Sequence, residues 1–227
     1  MTQPATLLLT RPREASERFA RQVSDALGPT SIHISPLIEI EFVALRRIPK
    51  PQNVVFTSRN GIEAWKRANF PTDIQCFCVG QATAEDARAL GFEPHISAGT
   101  VSHLIDDILK WAPVGEVLHV HGRYVRGDLV GKLREAGLSA SGLQAYEQNL
   151  RALDDEANRL LQGGAQVIVP LFSPRSAAQF TRVGMFGPQI DVIAISQAAA
   201  NECESARIAP SPDAKGMIAA ISQGLIA

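Results

Sequence analysis

The stretch Val54–Trp65, VVFTSRNGIEAW, has a pattern from which the fold of this chain can be inferred. Three apolar residues are followed by the polar turn Thr57–Asn60, and then by Ile62 and Trp65 at helical spacing. This pattern predicts a buried strand, a tight turn and the start of a helix. The first N–H groups of a helix lack intrahelical partners and carry the positive end of the helix dipole, so such a turn can bind an anion.

The same arrangement recurs in the second half of the chain. Residues 167–180, VIVPLFSPRSAAQF, place Ser173 where the first stretch has Ser58, and Phe180 where it has Trp65. Three further pairs of segments align at similar offsets: 77–85 with 193–201, 104–108 with 217–221 and, more loosely, 7–23 with 117–133. A series of matches predicts two related halves of similar build.

Composition narrows the classes of function. The 227 residues, 45% of them hydrophobic, can form one large core or two small ones, and the repeat favours two. With 22 basic and 23 acidic residues the net charge is −1, which argues against nonspecific binding to nucleic acid. No apolar run is long enough to span a membrane, and the first residues do not resemble a signal peptide. Three cysteines fit a reducing compartment, so we expect a cytoplasmic protein.

Strands and helices alternate along most of the chain. Apolar runs such as 6–10 and 117–120 are each followed by a polar turn and a segment with helical spacing. This alternation predicts parallel sheets covered by helices on both faces. We predict one of the helices over residues 198–206, and another that begins with a capping box at Thr83–Asp86.

Residues 37–42 and 143–147 differ from the other strand segments, because apolar residues alternate there with charged or polar ones. Such alternation is typical of a strand with one solvated face. It predicts that Tyr146 lies on the opposite face from Leu143 and Ala145. We interpret these two segments as linker strands.

The sequence offers no pattern for a metal or a nucleotide cofactor. His119 and His121 share a strand face, but no third ligand has a recognisable spacing. Cys76 and Cys78 also share a strand face without a zinc or redox spacing, and we expect them to be buried apolar residues. Neither a Gly-x-Gly-x-x-Gly motif nor a Walker loop is present. We therefore predict no metal and no cofactor.

Arginines and serines follow the predicted strands, at the edge where open α/β sheets bind ligands. Ser58 and Ser173 occupy positions where serine most often caps a helix, and no nucleophile-elbow motif surrounds them. We expect few carboxylates at this edge, so the turns should bind a small polyanion through N–H groups and arginine. The arginines are Arg11, Arg13, Arg59, Arg123, Arg126 and Arg175.

The motifs, taken in order, resemble the uroporphyrinogen-III synthase family. They are LLLTRP (7–12), VVFTSRNG (54–61), VGQATAEDARALGF (79–92), the Gly-Arg-x-x-Arg turn with its helix (122–137), and LFSPRSAAQF (171–180). Tyr146 also matches. The resemblance covers nearly the whole chain.

This resemblance implies an α/β fold of two flavodoxin-like parallel-sheet domains joined by a two-strand β linker, with the active-site cleft between them. Domain 1 would be discontinuous, residues 1–36 plus 148–227, and domain 2 would cover residues 43–142. The linker strands would be 37–42 and 143–147. Separately from the resemblance, we expect the chain to be a monomer.

The family's reaction is the cyclisation of hydroxymethylbilane to uroporphyrinogen III, with elimination of water and inversion of ring D through a spiro intermediate. The family uses no cofactor or metal. The substrate carries many carboxylates, so a chain of net charge −1 must bind it through local donors. We expect Tyr146 to act as general acid, because a phenol is protonated at neutral pH and adds no negative charge. The other reading of Tyr146 is a hinge residue that packs the domains together.

The expected substrate-binding residues combine the turns with the family motifs. They are Arg11, Thr57, Ser58, Arg59, Asn60, Gly80, Thr83, Gly122, Arg123, Arg126, Ser173, Arg175, Ser196 and Gln197.

One turn departs from the family pattern. The family has Ile-Gly-x-x-Thr-Ala where this chain has residues 195–200, ISQAAA, so that Ser196 and Ala199 replace a glycine and a threonine. Either this turn contributes only backbone N–H groups, or the activity is reduced. The alternative function is therefore a non-catalytic or weakly active relative that binds a tetrapyrrole or another polyanion.

Overall fold

The structure, a computed structural model, describes residues 5–45, 51–125, 127–184 and 186–226. The chain divides into two compact units. Unit 1 consists of Met1–Glu39 and Asn149–Ala227, and unit 2 of Ile40–Gln148. Within the described ranges, no helix is both long and apolar enough to cross a membrane.

The strands are numbered along the whole chain, across both units. They are β1 (Thr6–Leu9), β2 (Ser31–Ile34), β3 (Ile38–Phe42), β4 (Asn53–Phe56), β5 (Gln75–Cys78), β6 (Pro94–Ile96), β7 (Val117–Gly122), β8 (Ala140–Leu150), β9 (Val167–Leu171), β10 (Ile190–Ala194) and β11 (Arg207–Ile208).

Helices connect most successive strands, as the alternation of the sequence predicts. They are α1 (Arg13–Leu27), α2 (Arg59–Arg67), α3 (Gln81–Leu90), α4 (Val101–Trp111), α5 (Leu129–Glu135), α6 (Asp155–Gln162), α7 (Pro174–Val183), α8 (Gln197–Ala200) and α9 (Ala214–Ile226).

The sheets of the two units have the same strand order. It is β11-β10-β9-β1-β2 in unit 1 and β6-β5-β4-β7-β8 in unit 2, with β3 added beside β8. Strand β9 thus takes the place of β4, β10 that of β5, and β1 that of β7, which are the pairs that the repeat aligns. The central pairs are parallel. This confirms the predicted α/β class, the parallel sheets and the two related halves.

Each sheet has apolar clusters on both faces, because alternate residues of a buried strand point to opposite sides. In β4, Val54 and Phe56 belong to one buried cluster and Val55 to another. Trp65 is fully buried, and its ring packs edge-on against Phe56 with centroids 5.7 Å apart. The opening stretch therefore forms the strand, turn and helix that its pattern predicts.

The helix predicted over residues 198–206 is wrong in its length. Helix α8 covers only Gln197–Ala200, and turns lead from it to the short strand β11. Residues 201–205, NECES, contain no large apolar side chain that could anchor further turns on the sheet. A helix in a protein depends on such packing more than on propensity.

The capping box predicted at Thr83 is also wrong. Helix α3 begins at Gln81, Gly80 holds the N-cap position, and Thr83 lies buried inside the first turn. The Gly80 carbonyl already accepts a hydrogen bond from the Ala84 N–H at 3.1 Å. The helix therefore begins before Thr83, and Thr83 is not its N-cap residue.

Strand β8 contains a β-bulge at Ala145. Tyr146 pairs with Gly122 of β7, and the pairing before it skips Ala145. An extra residue in one strand breaks the alternation of faces. As a result Ala145 and Tyr146 are buried in the same cluster, and Leu143 packs against it. The prediction that Tyr146 faces away from Leu143 and Ala145 is therefore wrong.

Candidate functional site

The strand order of each unit contains a switch point. In unit 2 the chain runs outward from β4 to β6 and then returns to β7, on the other side of β4. Connections that diverge in this way leave a crevice at the carboxyl ends of the two strands, where open α/β sheets bind ligands. The corresponding strands of unit 1 are β9 and β1. The candidate residues beside these switch points are Thr57–Asn60 after β4, Gly122 and Arg123 at the end of β7, Ser173 and Arg175 after β9, and Arg11 after β1.

Serine caps the helices that follow β4 and β9. Ser58 Oγ accepts from the Asn60 N–H at 3.2 Å at the start of α2, and Ser173 Oγ accepts from the Ser176 N–H at 3.1 Å at the start of α7. Ser196 is likewise the N-cap of α8. The expectation that Ser58 and Ser173 are caps is confirmed.

The hydroxyl of Tyr146 contacts the turn that follows β4. The Ser58 side chain and the Gly122 backbone both hydrogen-bond to it, and both bonds lower its pKa. Hydrogen bonds that lower a phenol's pKa are donated to its oxygen. Burial, the larger effect, raises the pKa of Tyr146 above its ordinary value, so the phenol is protonated at neutral pH. With its oxygen accepting two bonds, the hydroxyl keeps its own proton for a further acceptor.

Gly122 is required for this placement. A Cβ atom on Gly122 would lie 2.4 Å from Cε2 and 2.8 Å from Cζ of Tyr146. Only a residue without a side chain lets the ring pass this close to β7. The sequence identified Gly122 as part of a binding turn, but its contact with the tyrosine ring depends on the bulge in β8.

His119 is a site residue that sequence reasoning did not assign. Its Nε2 atom lies 2.9 Å from Oγ1 of Thr57, and the hydrogen bond joins β7 to the turn after β4. The imidazole is 2% exposed. Burial, helped by nearby His121, lowers the pKa of His119 to about 4, so the ring is neutral at pH 7. A polar residue in an otherwise apolar strand was the signal that could have identified it.

His121 lies two residues after His119 on the same strand, β7. Its Nδ1 atom donates to the Gly122 carbonyl at 2.7 Å. The imidazole rings of His119 and His121 are tilted by 40° to each other, with centroids 5.0 Å apart. In the described part of the chain, no three His, Cys, Asp or Glu side chains are grouped to hold a metal ion. Cys76 and Cys78 are fully buried, as expected.

The edge of unit 2 holds more carboxylates than the sequence suggested. Arg59 Nε donates to the Ala82 carbonyl at 2.9 Å and lies 3.3 Å from Asp86 Oδ2. Arg123 lies 3.7 Å from Glu147 Oε2. The expectation of few carboxylates is wrong here, because α3 and β8 bring acidic side chains to the edge. The two guanidinium groups are thus partly neutralised.

The unit 1 residues occupy the matching edge. The Arg11 guanidinium lies over the Phe172 ring, 4.1 Å from its centroid, a contact that orients the cation. Gln197 Nε2 donates to Asn201 Oδ1 at 2.7 Å along the exposed side of α8. Arg126, another expected binding residue, lies outside the described residues.

A pH-dependent stability follows from the buried imidazole of His119. Between pH 6.5 and about 4 the unfolded chain binds a proton at His119 that the folded chain does not bind. We therefore expect the free energy of unfolding to decrease as the pH is lowered through this window. This group contributes a decrease of up to about 1.4 kcal/mol per pH unit.

Urea unfolding at pH 7, 6 and 5 measures this dependence. His119→Gln, which cannot titrate, should show a flatter profile than the unchanged chain. Equal slopes for the two proteins would mean that His119 is not held neutral by burial.

Comparison with known proteins gives the family. The family model of uroporphyrinogen-III synthase HemD matches residues 19–219. No curated protein matches the sequence significantly. The fold is similar to that of uroporphyrinogen-III synthetase from Helicobacter pylori 26695, with a TM-score of 0.71 and 17% identity over 97% of this chain and 99% of that one.

A second solved structure has the same fold. It is a mutant uroporphyrinogen III synthase from the extremely thermophilic bacterium Thermus thermophilus, with a TM-score of 0.54 and 15% identity over 98% of this chain and 99% of that one. At these identities the structures support the fold alone, while the family model covers most of the chain. The chain therefore belongs to the uroporphyrinogen-III synthase family.

Proposed function

We propose that this chain is an active uroporphyrinogen-III synthase, a lyase of porphyrin biosynthesis that cyclises hydroxymethylbilane with loss of water and inversion of ring D through a spiro intermediate. It works in the cytoplasm as a monomer whose partner is the small tetrapyrrole substrate. The observation that carries the proposal is the Tyr146 hydroxyl, which accepts bonds from Ser58 and Gly122 beside the switch point of unit 2.

The Tyr146 hydroxyl suits the first step of this reaction. The bond between the terminal carbon and its hydroxyl breaks, and the departing oxygen needs a proton to leave as water. A protonated phenol supplies this proton or a strong hydrogen bond without repelling the carboxylates of the substrate. Its two donors, Ser58 and Gly122, stabilise negative charge as it develops on the phenol oxygen.

The hydrogen-bond donors at the ends of the strands are suited to bind the carboxylates of the substrate. The N–H groups at the starts of α2 and α7 and the guanidinium of Arg11 are matched to carboxylates. Ring inversion requires that the flexible chain be held in one conformation, and positioning alone can lower a barrier by about 7–11 kcal/mol. The reaction therefore needs few groups that exchange protons.

The departure from the family pattern in the α8 turn leaves these donors in place. Ala199 is fully buried in the apolar core of unit 1, and Thr83 holds the corresponding buried position in α3 of unit 2. Ser196 and Gln197 keep their polar groups at the start of α8. The missing threonine therefore alters a buried position rather than an exposed donor, and this favours the active enzyme.

A stopped assay with hydroxymethylbilane tests the proposal. The product is oxidised to porphyrin and its isomers are separated, with a reaction lacking protein as the control for spontaneous closure. We expect the inverted isomer to predominate. Only the uninverted isomer, at the spontaneous rate, would contradict the proposal.

Arg11→Ala should weaken substrate binding. An arginine that hydrogen-bonds a carboxylate contributes about 1.5–3 kcal/mol, so KM should rise about ten- to hundredfold while kcat changes little. The matched control is Arg21→Ala, which removes an exposed arginine from α1, the helix that follows Arg11. An unchanged KM in Arg11→Ala would show that Arg11 does not bind the substrate.

A further inference from the structure

The position of His119 in the sheet is unusual for a polar residue. Strand β7 is the neighbour of β4 at the centre of the unit 2 sheet, and His119 lies opposite Val55 in its register. The other buried residues at the start of this strand, Val117, Leu118 and Val120, are apolar. A valine would suit this apolar site better than an imidazole, because a buried polar ring must be desolvated. The histidine therefore has a role other than packing.

The partner of His119 shows what this role is. Thr57 is the first residue after β4, half-buried, and its Oγ1 atom lies 2.9 Å from Nε2 of His119. The hydrogen bond crosses the switch point between β4 and β7, where the crevice opens. The next residue, Ser58, holds the Tyr146 hydroxyl. One buried imidazole thus fixes the side chain of Thr57, the residue that directly precedes the serine bonded to the proposed general acid.

We propose that His119 is a positioning residue of the synthase, which holds the Thr57 hydroxyl in the orientation that the substrate meets at the carboxyl end of β4. This inference rests on the proposed function. The side chain of Thr57 has alternative rotamers, and a hydrogen bond from a rigid buried ring selects one of them before substrate binds. The remaining hydrogen-bonding capacity of the hydroxyl is then directed at the crevice. The Thr57 hydroxyl is thus already oriented when the substrate binds.

A double-mutant cycle between His119 and Thr57 tests this positioning. His119→Leu and Thr57→Val should each raise KM about fivefold with kcat nearly unchanged, the effect of losing one neutral hydrogen bond. In the Thr57→Val background His119→Leu should raise KM no further, because the hydroxyl that it holds is gone. His119→Gln, which retains a hydrogen-bonding group on a side chain of similar reach, should restore KM to within about twofold of the unchanged enzyme.

The opposite results would overturn the inference. A merely structural histidine would raise KM, or lower kcat, by the same factor with either residue at position 57. An unchanged KM in His119→Leu would also contradict it. Thermal unfolding of each variant identifies any that fail to fold.

Ring ¹⁵N chemical shifts of His119 separate this inference from the proposed function. They report the hydrogen bond at Nε2 without any turnover. Thr57→Val should change the Nε2 shift and leave the Nδ1 shift nearly constant, whereas an unchanged Nε2 shift would rule out the contact. If the unchanged protein forms no inverted isomer, the proposed function fails, and a changed Nε2 shift still supports the fixing of Thr57 by His119.

Discussion

Replacing Tyr146 with phenylalanine is expected to slow turnover about hundredfold while the product remains the inverted isomer. The change removes only the hydroxyl, so the buried ring stays in its cluster with Ala145. General acids contribute on the order of 10²–10⁴ in rate, and the low end is expected where positioning of the substrate dominates. The Ser58 and Gly122 donors lose their acceptor, which costs some stability but not the fold.

Single-turnover rates and isomer analysis decide what Tyr146 does. If Tyr146→Phe has the same rate as the unchanged enzyme, Tyr146 is not the general acid. A slow variant that forms mostly the uninverted isomer would show that Tyr146 shapes the bound conformation. Ser58→Ala provides a graded comparison, because it removes one of the two donors and keeps the phenol. We expect its rate to lie between those of the unchanged enzyme and Tyr146→Phe.

Gly122→Ala is expected to reduce turnover by at least as much as Tyr146→Phe. The added methyl group would lie 2.4 Å from the Tyr146 ring and 2.8 Å from Gln148 Oε1, so the ring must move. Overpacking of a buried site costs about 1–3 kcal/mol. A displacement of about 1 Å at a reacting group can by itself cost about hundredfold in rate.

The matched control is Gly164→Ala, at an exposed position where a Cβ atom would meet nothing within 4 Å. It should retain the rate and the midpoint of thermal unfolding. If Gly122→Ala is folded and has the unchanged rate, then the position of the Tyr146 ring does not matter for catalysis. In the double variant with Tyr146→Phe the two losses should not multiply, since both act through one hydroxyl.

Local patterns in the sequence predict the class of fold, which the structure confirms, and place the candidate site at the strand ends. The spacing in Val54–Trp65 and its repeat at 167–180 depend on local chain geometry: a buried strand, a cap and an apolar helix face. These signals identified Ser58 and Ser173 as caps and placed the arginines at the ligand edge. Motifs of the family added Tyr146. Except for Tyr146, each of these inferences needs only residues that are close together in the chain.

Which side chains meet at that edge depends on contacts between distant segments of the chain. The bulge at Ala145 depends on the pairing of β8 with β7, and it turns Tyr146 toward Gly122 against the alternation of its own strand. The bond between Thr57 and His119 joins residues far apart in the chain, and burial by the whole sheet lowers the pKa of His119. Asp86 beside Arg59 likewise follows from packing between helices. Local patterns do not encode strand register or burial, because both arise only when distant segments pack together.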